Sequence, residues 1–270
     1  MRLFPLAAAC AAAFLASAAF AAAPTADERD MNAGLAALNQ KKFGAAADDF
    51  TRILKRTPTH YGATFQLARA LEGAGRKKQA HEQWEKALRM ALTIPDWDTA
   101  VLCMERMPDD YPGVRVTTSL GAFTLRLDRR RAPATVANFL AYAREGYFDG
   151  TAFNRIFPGS FVQGGGTTPD GKPKPHARPP IKLESGNGLK NIRGTIAMAR
   201  MAGPDTAEVQ WFVNTANNAW MDYASAAQPG YAVFGYVAGG MGVLDRIGSV
   251  PLAGEAPKTP VVIESIRLLP

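Results

Sequence analysis

Residues 153–166 read Phe-Asn-Arg-Ile-Phe-Pro-Gly-Ser-Phe-Val-Gln-Gly-Gly-Gly, and this stretch is the most informative part of the chain. Side chains two positions apart point to the same side of a β-strand. Arg155, Phe161 and Gln163 would therefore share one surface, on which a cation and an amide flank an apolar platform. We expect such a surface to bind a neutral, extended peptide rather than to support nucleophilic chemistry.

Further runs follow downstream, of which residues 210–214 repeat the combination of amide and aromatic side chains. These runs occupy residues 187–191, 193–200, 210–214 and 220–221. Together with the first stretch they resemble the cyclophilin family of peptidyl-prolyl isomerases, over about residues 113–270. The tail Pro260–Ser265 is similar to the closing strand of bacterial members. The resemblance implies an enzyme that isomerises the peptide bond before proline in proline-containing polypeptides, without a cofactor.

Short alternating segments separated by glycine and proline predict a mainly β domain in this region. Val114–Thr118 and Phe123–Leu127 read as strands joined by a turn at Leu120-Gly121, a helix begins at Pro133, and Val261–Leu268 is the last strand. Many short strands with few helices favour a closed antiparallel barrel. The resemblance implies eight strands and two capping helices, with the ligand groove on the outer face.

The N-terminal third repeats itself with a period of 34 residues, aligning Ala46 with Ala80 and Phe50 with Trp84. The pattern resembles the tetratricopeptide repeat, in which helix pairs meet at small residues. Two such pairs leave an apolar face that only a neighbouring element can cover. A further helix, capped by Asp96 and running to about residue 107, is expected to close the array.

The chain thus divides into four predicted parts. Residues 1–21 form a signal peptide, residues 22–107 a helical repeat module, residues 108–113 a proline-rich linker, and residues 114–270 an isomerase domain. The predicted fold class is multi-domain, with all-α helical repeats followed by a mainly β closed barrel. The role of the module stays open, because such repeats dock a partner protein or client, or serve as a spacer or dimerisation unit.

The first residues have the order of a cleaved secretory signal. Arg2 precedes an apolar run that ends in Ala19-Phe20-Ala21, which predicts cleavage after Ala21, a periplasmic location, and no stable membrane insertion afterwards. The alternative is an apolar N-terminal core helix. A lipid anchor at Cys10 is disfavoured because the apolar run before it is short. Cleavage leaves Cys103 as a single thiol, so the fold does not depend on an intramolecular disulfide.

The distribution of charge and the motifs of the chain exclude several other functions. The net charge is +7, and its densest cluster, Arg129–Arg131, is interpreted as a solvated loop that does not bind nucleic acid. His60, His81 and His176 are scattered without metal-ligand spacing, so no metal is expected. The glycines at 164–166 lack the ending of a phosphate-binding loop and read as a turn.

The resemblance assigns roles to individual residues. Arg155 would donate to the prolyl nitrogen and thereby favour the twisted bond over the planar one. Gln163 would hold both Arg155 and the peptide carbonyl. The residues expected to contact the substrate are Phe161, Ala199, Arg200, Gln210, Phe212, Trp220, Met221 and Tyr231.

Two positions depart from the usual pattern of the family, and a third differs from many bacterial members. Ser160 stands where the family usually has phenylalanine, so part of the proline pocket is missing unless Phe161 refills it. Asn154 replaces a common histidine, and Trp220 resembles cyclosporin-sensitive members.

Two other functions stay open on this basis. The Ser160 departure favours a non-catalytic chaperone or scaffold that only grips proline-containing segments. A third interpretation makes the helical module the main functional part, docking the isomerase on an envelope assembly.

Overall fold

The computed structural model describes residues 23–94 and 96–270. The predicted signal peptide and its cleavage site lie outside the described residues. Within these two ranges, no helix has both the length and the apolar composition needed to cross a membrane.

Five helices form the N-terminal part, and consecutive helices pack against one another. They are α1 (Ala26–Asn39), α2 (Phe43–Arg56), α3 (Tyr61–Gly73), α4 (Lys77–Thr93) and α5 (Trp97–Glu105). Phe50 and Trp84 are buried at equivalent positions of the two pairs. A Cβ atom on Gly34 would lie only 2.6 Å from the Phe50 ring, so α1 and α2 can approach closely because position 34 carries no side chain.

Helix α5 begins where the sequence predicts. The Asp96 carboxylate accepts a hydrogen bond from Thr99 N at 3.1 Å, which satisfies one of the free N–H groups at the helix start. The helix ends at Glu105 rather than at residue 107. Met107 N donates instead to Met104 O at 3.1 Å, which tightens the last turn.

The remainder of the chain is built on a closed barrel of eight antiparallel strands in the order β1-β10-β3-β4-β6-β5-β7-β2, as the resemblance implies. These strands are β1 (Gly113–Thr118), β2 (Gly121–Leu127), β3 (Thr151–Phe157), β4 (Phe161–Thr167), β5 (Thr195–Met198), β6 (Trp211–Asn214), β7 (Val233–Gly239) and β10 (Val261–Leu268). Helices α6 (Pro133–Arg144) and α7 (Met241–Ile247) accompany them, and β8 (Leu252–Ala253) and β9 (Ala256–Pro257) form a separate hairpin.

Strand alternation separates the barrel core from the outer face. Val162 is fully buried in the core cluster that fills the barrel, whereas its neighbours Phe161 and Gln163 lie on the other face of β4. At one side of the core, Phe139 of α6 makes an edge contact with Trp211, at 6.1 Å between ring centroids. The prediction that residues 155–163 lie on one strand is wrong, because residues 158–160 form the turn between β3 and β4. Arg155 and Gln163 still share the outer face, because they pair with each other across the two strands.

The prediction of a turn at Gly164–Gly166 is wrong, because these glycines lie inside β4. Register shifts against β3 bend the strand there. Gly165 has a φ of +88°, and a Cβ on it would lie 2.5 Å from the indole nitrogen of Trp211. The glycines allow a bulged strand to pass directly over a large core side chain.

The helical part rests against the barrel through α5. Trp97 Nε1 donates to Val237 O at 3.0 Å, and its ring meets that of Tyr236 at 5.5 Å and 67°. Within the predicted linker, Tyr111 is only 7% exposed. One buried apolar cluster runs from the helices through Tyr236 to Phe212 on the outer face of the barrel.

Candidate active-site groove

A groove lies on the outer face of β3, β4, β5 and β6, and it contains a cavity of about 230 Å³. The cavity is lined by Arg155, Phe157, Phe161, Gln163, Ala199, Arg200, Phe212, Trp220, Met221 and Tyr231. Every residue predicted for the site lies here except Gln210, which lines an adjoining cavity together with Gln163.

Strand register explains why residues distant in sequence meet here. Arg155 pairs with Gln163 and Phe157 with Phe161 across β3 and β4, and Gln163 pairs in turn with Phe212 of β6. Directly opposed residues on neighbouring strands hold their side chains side by side. The register therefore places a cation, an amide and aromatic rings on one continuous surface.

Arg155 provides one of the two positive charges that the described part of the chain brings to the groove, and Arg200 provides the other. Its guanidinium lies 4.9 Å from the ring centroid of Phe157 and 5.9 Å from that of Phe161. Its Nε donates to Oε2 of Glu255 at 2.5 Å, and Nη2 donates to Oε1 at 3.4 Å. With 45% of its side chain exposed, Arg155 remains accessible to a ligand.

Gln163 contacts a different partner from the expected one. Its amide nitrogen donates to Oε1 of Gln210 at 2.9 Å. Among the described residues, the side chain hydrogen-bonded to Arg155 is Glu255, and an Arg155–Gln163 hydrogen bond is not formed. Sequence reasoning did not identify Glu255, which lies 100 positions from Arg155 along the chain.

The apolar wall consists of buried rings and one thioether. Phe161, Phe212 and Met221 are each less than 5% exposed. The Phe212 ring meets Phe161 at 5.3 Å and the edge of Tyr231 at 5.5 Å. This preformed apolar pocket beside a cation suits a small ring joined to a polar backbone.

Two aromatic residues frame the opening of the groove. Trp220 is 71% exposed. Phe157 is 36% exposed and stacks on Phe161 at 5.0 Å. Phe157 was not assigned to the site from sequence, although the alternation that points Arg155 outward points Phe157 the same way.

The side of the groove opposite Arg155 is stabilised by contacts of Arg200 and by a backbone hydrogen bond of Ala199. Arg200 Nε donates to Gly230 O at 2.9 Å, and its guanidinium lies 4.9 Å from the Tyr231 ring centroid. Ala199 N donates to Gln210 O at 3.0 Å. The Ala199 N–H is therefore already paired within the chain, so a peptide added as a strand would need other backbone groups there.

Ser160 helps to anchor a neighbouring loop. Its hydroxyl donates to Asn218 Oδ1 at 2.8 Å, and Asn218 Nδ2 donates back to Ser160 O at 2.9 Å. Asn218 also bonds Oδ1 of Asn214 at the end of β6, at 2.7 Å. Phe161 and Phe157, rather than residue 160, supply the aromatic wall at this side of the cavity.

One cluster outside the groove brings together possible metal ligands that the sequence left scattered. Donor atoms of His81, Glu85 and Asp110 lie within 4.8 Å of one another. His81 Nε2 lies 3.0 Å from an Asp110 carboxylate oxygen, and the Arg130 guanidinium contacts Glu85. Because Arg130 already brings a positive charge to these carboxylates, the geometry favours an ion-pair network between α4 and the barrel domain.

Comparison with known proteins assigns the barrel part of the chain to one class. The family model described as cyclophilin type peptidyl-prolyl cis-trans isomerase/CLD matches residues 113–268. The chain belongs to this family. It is therefore an enzyme that catalyses the cis–trans isomerisation of Xaa-Pro peptide bonds.

Individual relatives agree with this assignment. The chain is 44% identical over 161 residues to peptidyl-prolyl cis-trans isomerase A of Dickeya dadantii, covering 58% of this chain and 84% of the relative. It is 40% identical over 158 residues to peptidyl-prolyl cis-trans isomerase B of Escherichia coli, covering 56% and 96%. A cyclophilin type isomerase structure from Cryptosporidium parvum superposes with a TM-score of 0.51 at 24% identity, covering 59% and 98%, and supports the fold.

Proposed function

We propose that the groove around Arg155 is where the chain isomerises Xaa-Pro bonds, with Arg155 as the catalytic residue. The bond resists rotation because of its partial double-bond character, with a barrier of ~18–20 kcal/mol. As the bond twists, the prolyl nitrogen becomes pyramidal and regains a lone pair. A guanidinium that donates to this lone pair stabilises the twisted state more than the planar one, which lowers the barrier.

The apolar wall would hold the substrate while the bond rotates. Phe161, Phe212 and Met221 form a pocket in which a pyrrolidine ring loses contact with water, and the peptide carbonyl on the other side of the bond is then free to turn. Gln163 is proposed to bind that carbonyl, held in place by its own bond to Gln210. The reaction makes and breaks no covalent bond, so these groups need only bind and orient.

A single observation carries this proposal: an accessible guanidinium borders a preformed cavity of about 230 Å³ that has an apolar wall. The non-catalytic alternative depends on a proline pocket weakened by Ser160. The bond from Ser160 to Asn218 and the presence of Phe161 in the wall remove the reason for preferring that alternative.

The test is an isomerisation assay on an Ala-Pro peptide with the mature chain from Ala22. Arg155→Ala should lower kcat/KM at least 100-fold, because an oriented charge at the reacting atoms contributes on the order of 3 kcal/mol. Arg115→Ala is the matched control, since Arg115 is an exposed arginine on β1 outside the groove. Equal activity of the two variants would exclude Arg155 as the catalytic residue.

We further propose that residues 22–107 form a tetratricopeptide-repeat-like module that docks a partner protein or a client. The stacked helix pairs with small residues at their contacts support this proposal, since such arrays present extended surfaces to peptides. A photo-crosslinker at the exposed Lys78 should capture an unfolded client protein, whereas one at Arg115 on the barrel should not. Equal capture from both positions would count against a docking role.

We also propose that residues 1–21 direct export to the periplasm and that Ala22 is the first residue of the mature chain. The support is the order of Arg2, apolar run and Ala19-Phe20-Ala21 in the sequence. Intact mass measurement of protein recovered from a periplasmic extract should give a chain beginning at Ala22. Recovery of the full-length mass from the cytoplasm alone would contradict export.

A further inference from the structure

An acidic side chain borders the charged end of the groove, although the reaction itself does not require one. Glu255 lies in the two-residue turn of the hairpin formed by β8 and β9. Its carboxylate accepts hydrogen bonds from Arg155 Nε at 2.5 Å and from Nη2 at 3.4 Å. A carboxylate in this position can orient the guanidinium or weaken its charge, and the surrounding contacts decide between the two effects.

The backbone of Glu255 is anchored directly beside Arg155. Ile156 N donates to Glu255 O at 2.7 Å, so the turn is hydrogen-bonded to the residue that follows Arg155 in β3. Lys258 N donates to Pro251 O at 2.8 Å and closes the base of the hairpin. Gly254, with a φ of +65°, permits the tight turn. The carboxylate is therefore presented from a held backbone rather than from a free loop.

The guanidinium is restrained by three neighbours. The guanidinium carbon lies over the rings of Phe157 and Phe161, at 4.9 Å and 5.9 Å from the ring centroids. Glu255 occupies the Nε edge and one hydrogen of Nη2. The N–H groups that remain belong to the two Nη nitrogens, and these are the donors left for a bound peptide.

We propose that Glu255 is a positioning residue, which holds Arg155 so that its remaining N–H groups meet the prolyl nitrogen. This inference rests on the proposed function of the groove. Arginine side chains have large rotamer freedom, and a half-exposed one without a partner samples solvent-facing orientations. Removing the carboxylate leaves the charge of Arg155 in place, but the guanidinium then samples more orientations. The effect should therefore appear in kcat, with little change in peptide affinity.

The test compares Glu255→Gln and Glu255→Ala with Glu264→Gln in the mature full-length chain. Glu264 is an exposed glutamate on β10, so its replacement makes the same change in net charge away from the groove. Line-shape and exchange NMR on an Ala-Pro peptide gives kcat and KM separately. Both Glu255 variants should lose about three- to fivefold in kcat, the ratio that a half-exposed ion pair supports. Their KM should stay within about twofold, and Glu264→Gln should match the wild type.

Two further readouts separate positioning from a general structural effect. The Arg155 Nε–H resonance should exchange slowly with water in the wild type and move toward that of solvated arginine in both Glu255 variants. The urea midpoint of unfolding should stay unchanged, because a half-exposed ion pair contributes little to stability.

Three results would overturn the proposal. An unchanged or increased kcat in Glu255→Gln would mean that the carboxylate is neutral for catalysis or weakens it. A raised KM with unchanged kcat would make Glu255 a peptide contact. If the wild-type chain does not accelerate isomerisation, the proposed function is wrong and this inference falls with it. The wild-type assay alone shows that outcome, before any variant is compared.

Discussion

Replacing Trp97 by alanine should lower the free energy of unfolding, because this side chain joins the helical part to the barrel. The substitution removes the ring contact with Tyr236 and the hydrogen bond to Val237 O. The ring pair is worth about 0.5–1.5 kcal/mol and the hydrogen bond about 0.5–1.5 kcal/mol. Loss of burial for a partly buried indole adds roughly 1 kcal/mol. The expected loss in free energy of unfolding is therefore about 3 kcal/mol.

Urea unfolding followed by circular dichroism measures this loss, with Trp97→Phe as the matched control. Phenylalanine keeps a ring beside Tyr236 but cannot donate to Val237 O, so it should lose only about 1 kcal/mol. A loss below about 0.5 kcal/mol for Trp97→Ala would refute the reasoning. In that case the contacts of Trp97 would not couple the stability of the helical part to that of the barrel.

Three further predictions concern a buried thiol, a strained glycine and a helix cap. Burial raises the pKa of the Cys103 thiol to about 12, so at pH 8 it should react with a disulfide reagent only after urea unfolding, and prompt labelling of the native chain would contradict this. Gly165→Ala should lower the free energy of unfolding by more than about 3 kcal/mol, because it combines backbone strain with a clash against Trp211. Gly171 has a similar φ but open space around it, so Gly171→Ala should lower the free energy of unfolding by only about 1 kcal/mol. Equal urea midpoints of the two variants would refute the clash. Asp96→Ala should lose about 1–2 kcal/mol through the missing helix cap, measured the same way, and an unchanged midpoint would show that the cap is dispensable.

Local pattern was sufficient for much of this fold. The last strand, Val261–Leu268, has its predicted bounds because Pro260 precedes a run of β-branched residues that favours a strand. The bulge that shifts its buried positions from 261 and 263 to 266 was not predicted. The groove residues on β3 and β4 were predicted because alternation decides which face each side chain occupies. The start of α5 was predicted because an N-cap aspartate acts within one helical turn.

Features that depend on distant partners were missed or misread. The three glycines after Gln163 read as a turn because nothing local shows that Trp211, on another strand, passes beneath them. The contact between Glu255 and Arg155 joins residues 100 positions apart, and the bond from Trp97 to Val237 joins residues 140 positions apart. A single sequence carries no local signal for such pairs.

The most direct test of the central claim is a crystal structure of the mature chain with an Ala-Pro peptide. We expect the pyrrolidine ring in the cavity formed by Phe161, Phe212 and Met221. An Nη atom of Arg155 should then lie within about 3.2 Å of the prolyl nitrogen or of the proline's own carbonyl oxygen. A peptide bound elsewhere, or one seated in the cavity with Arg155 turned away from the prolyl bond, would contradict it.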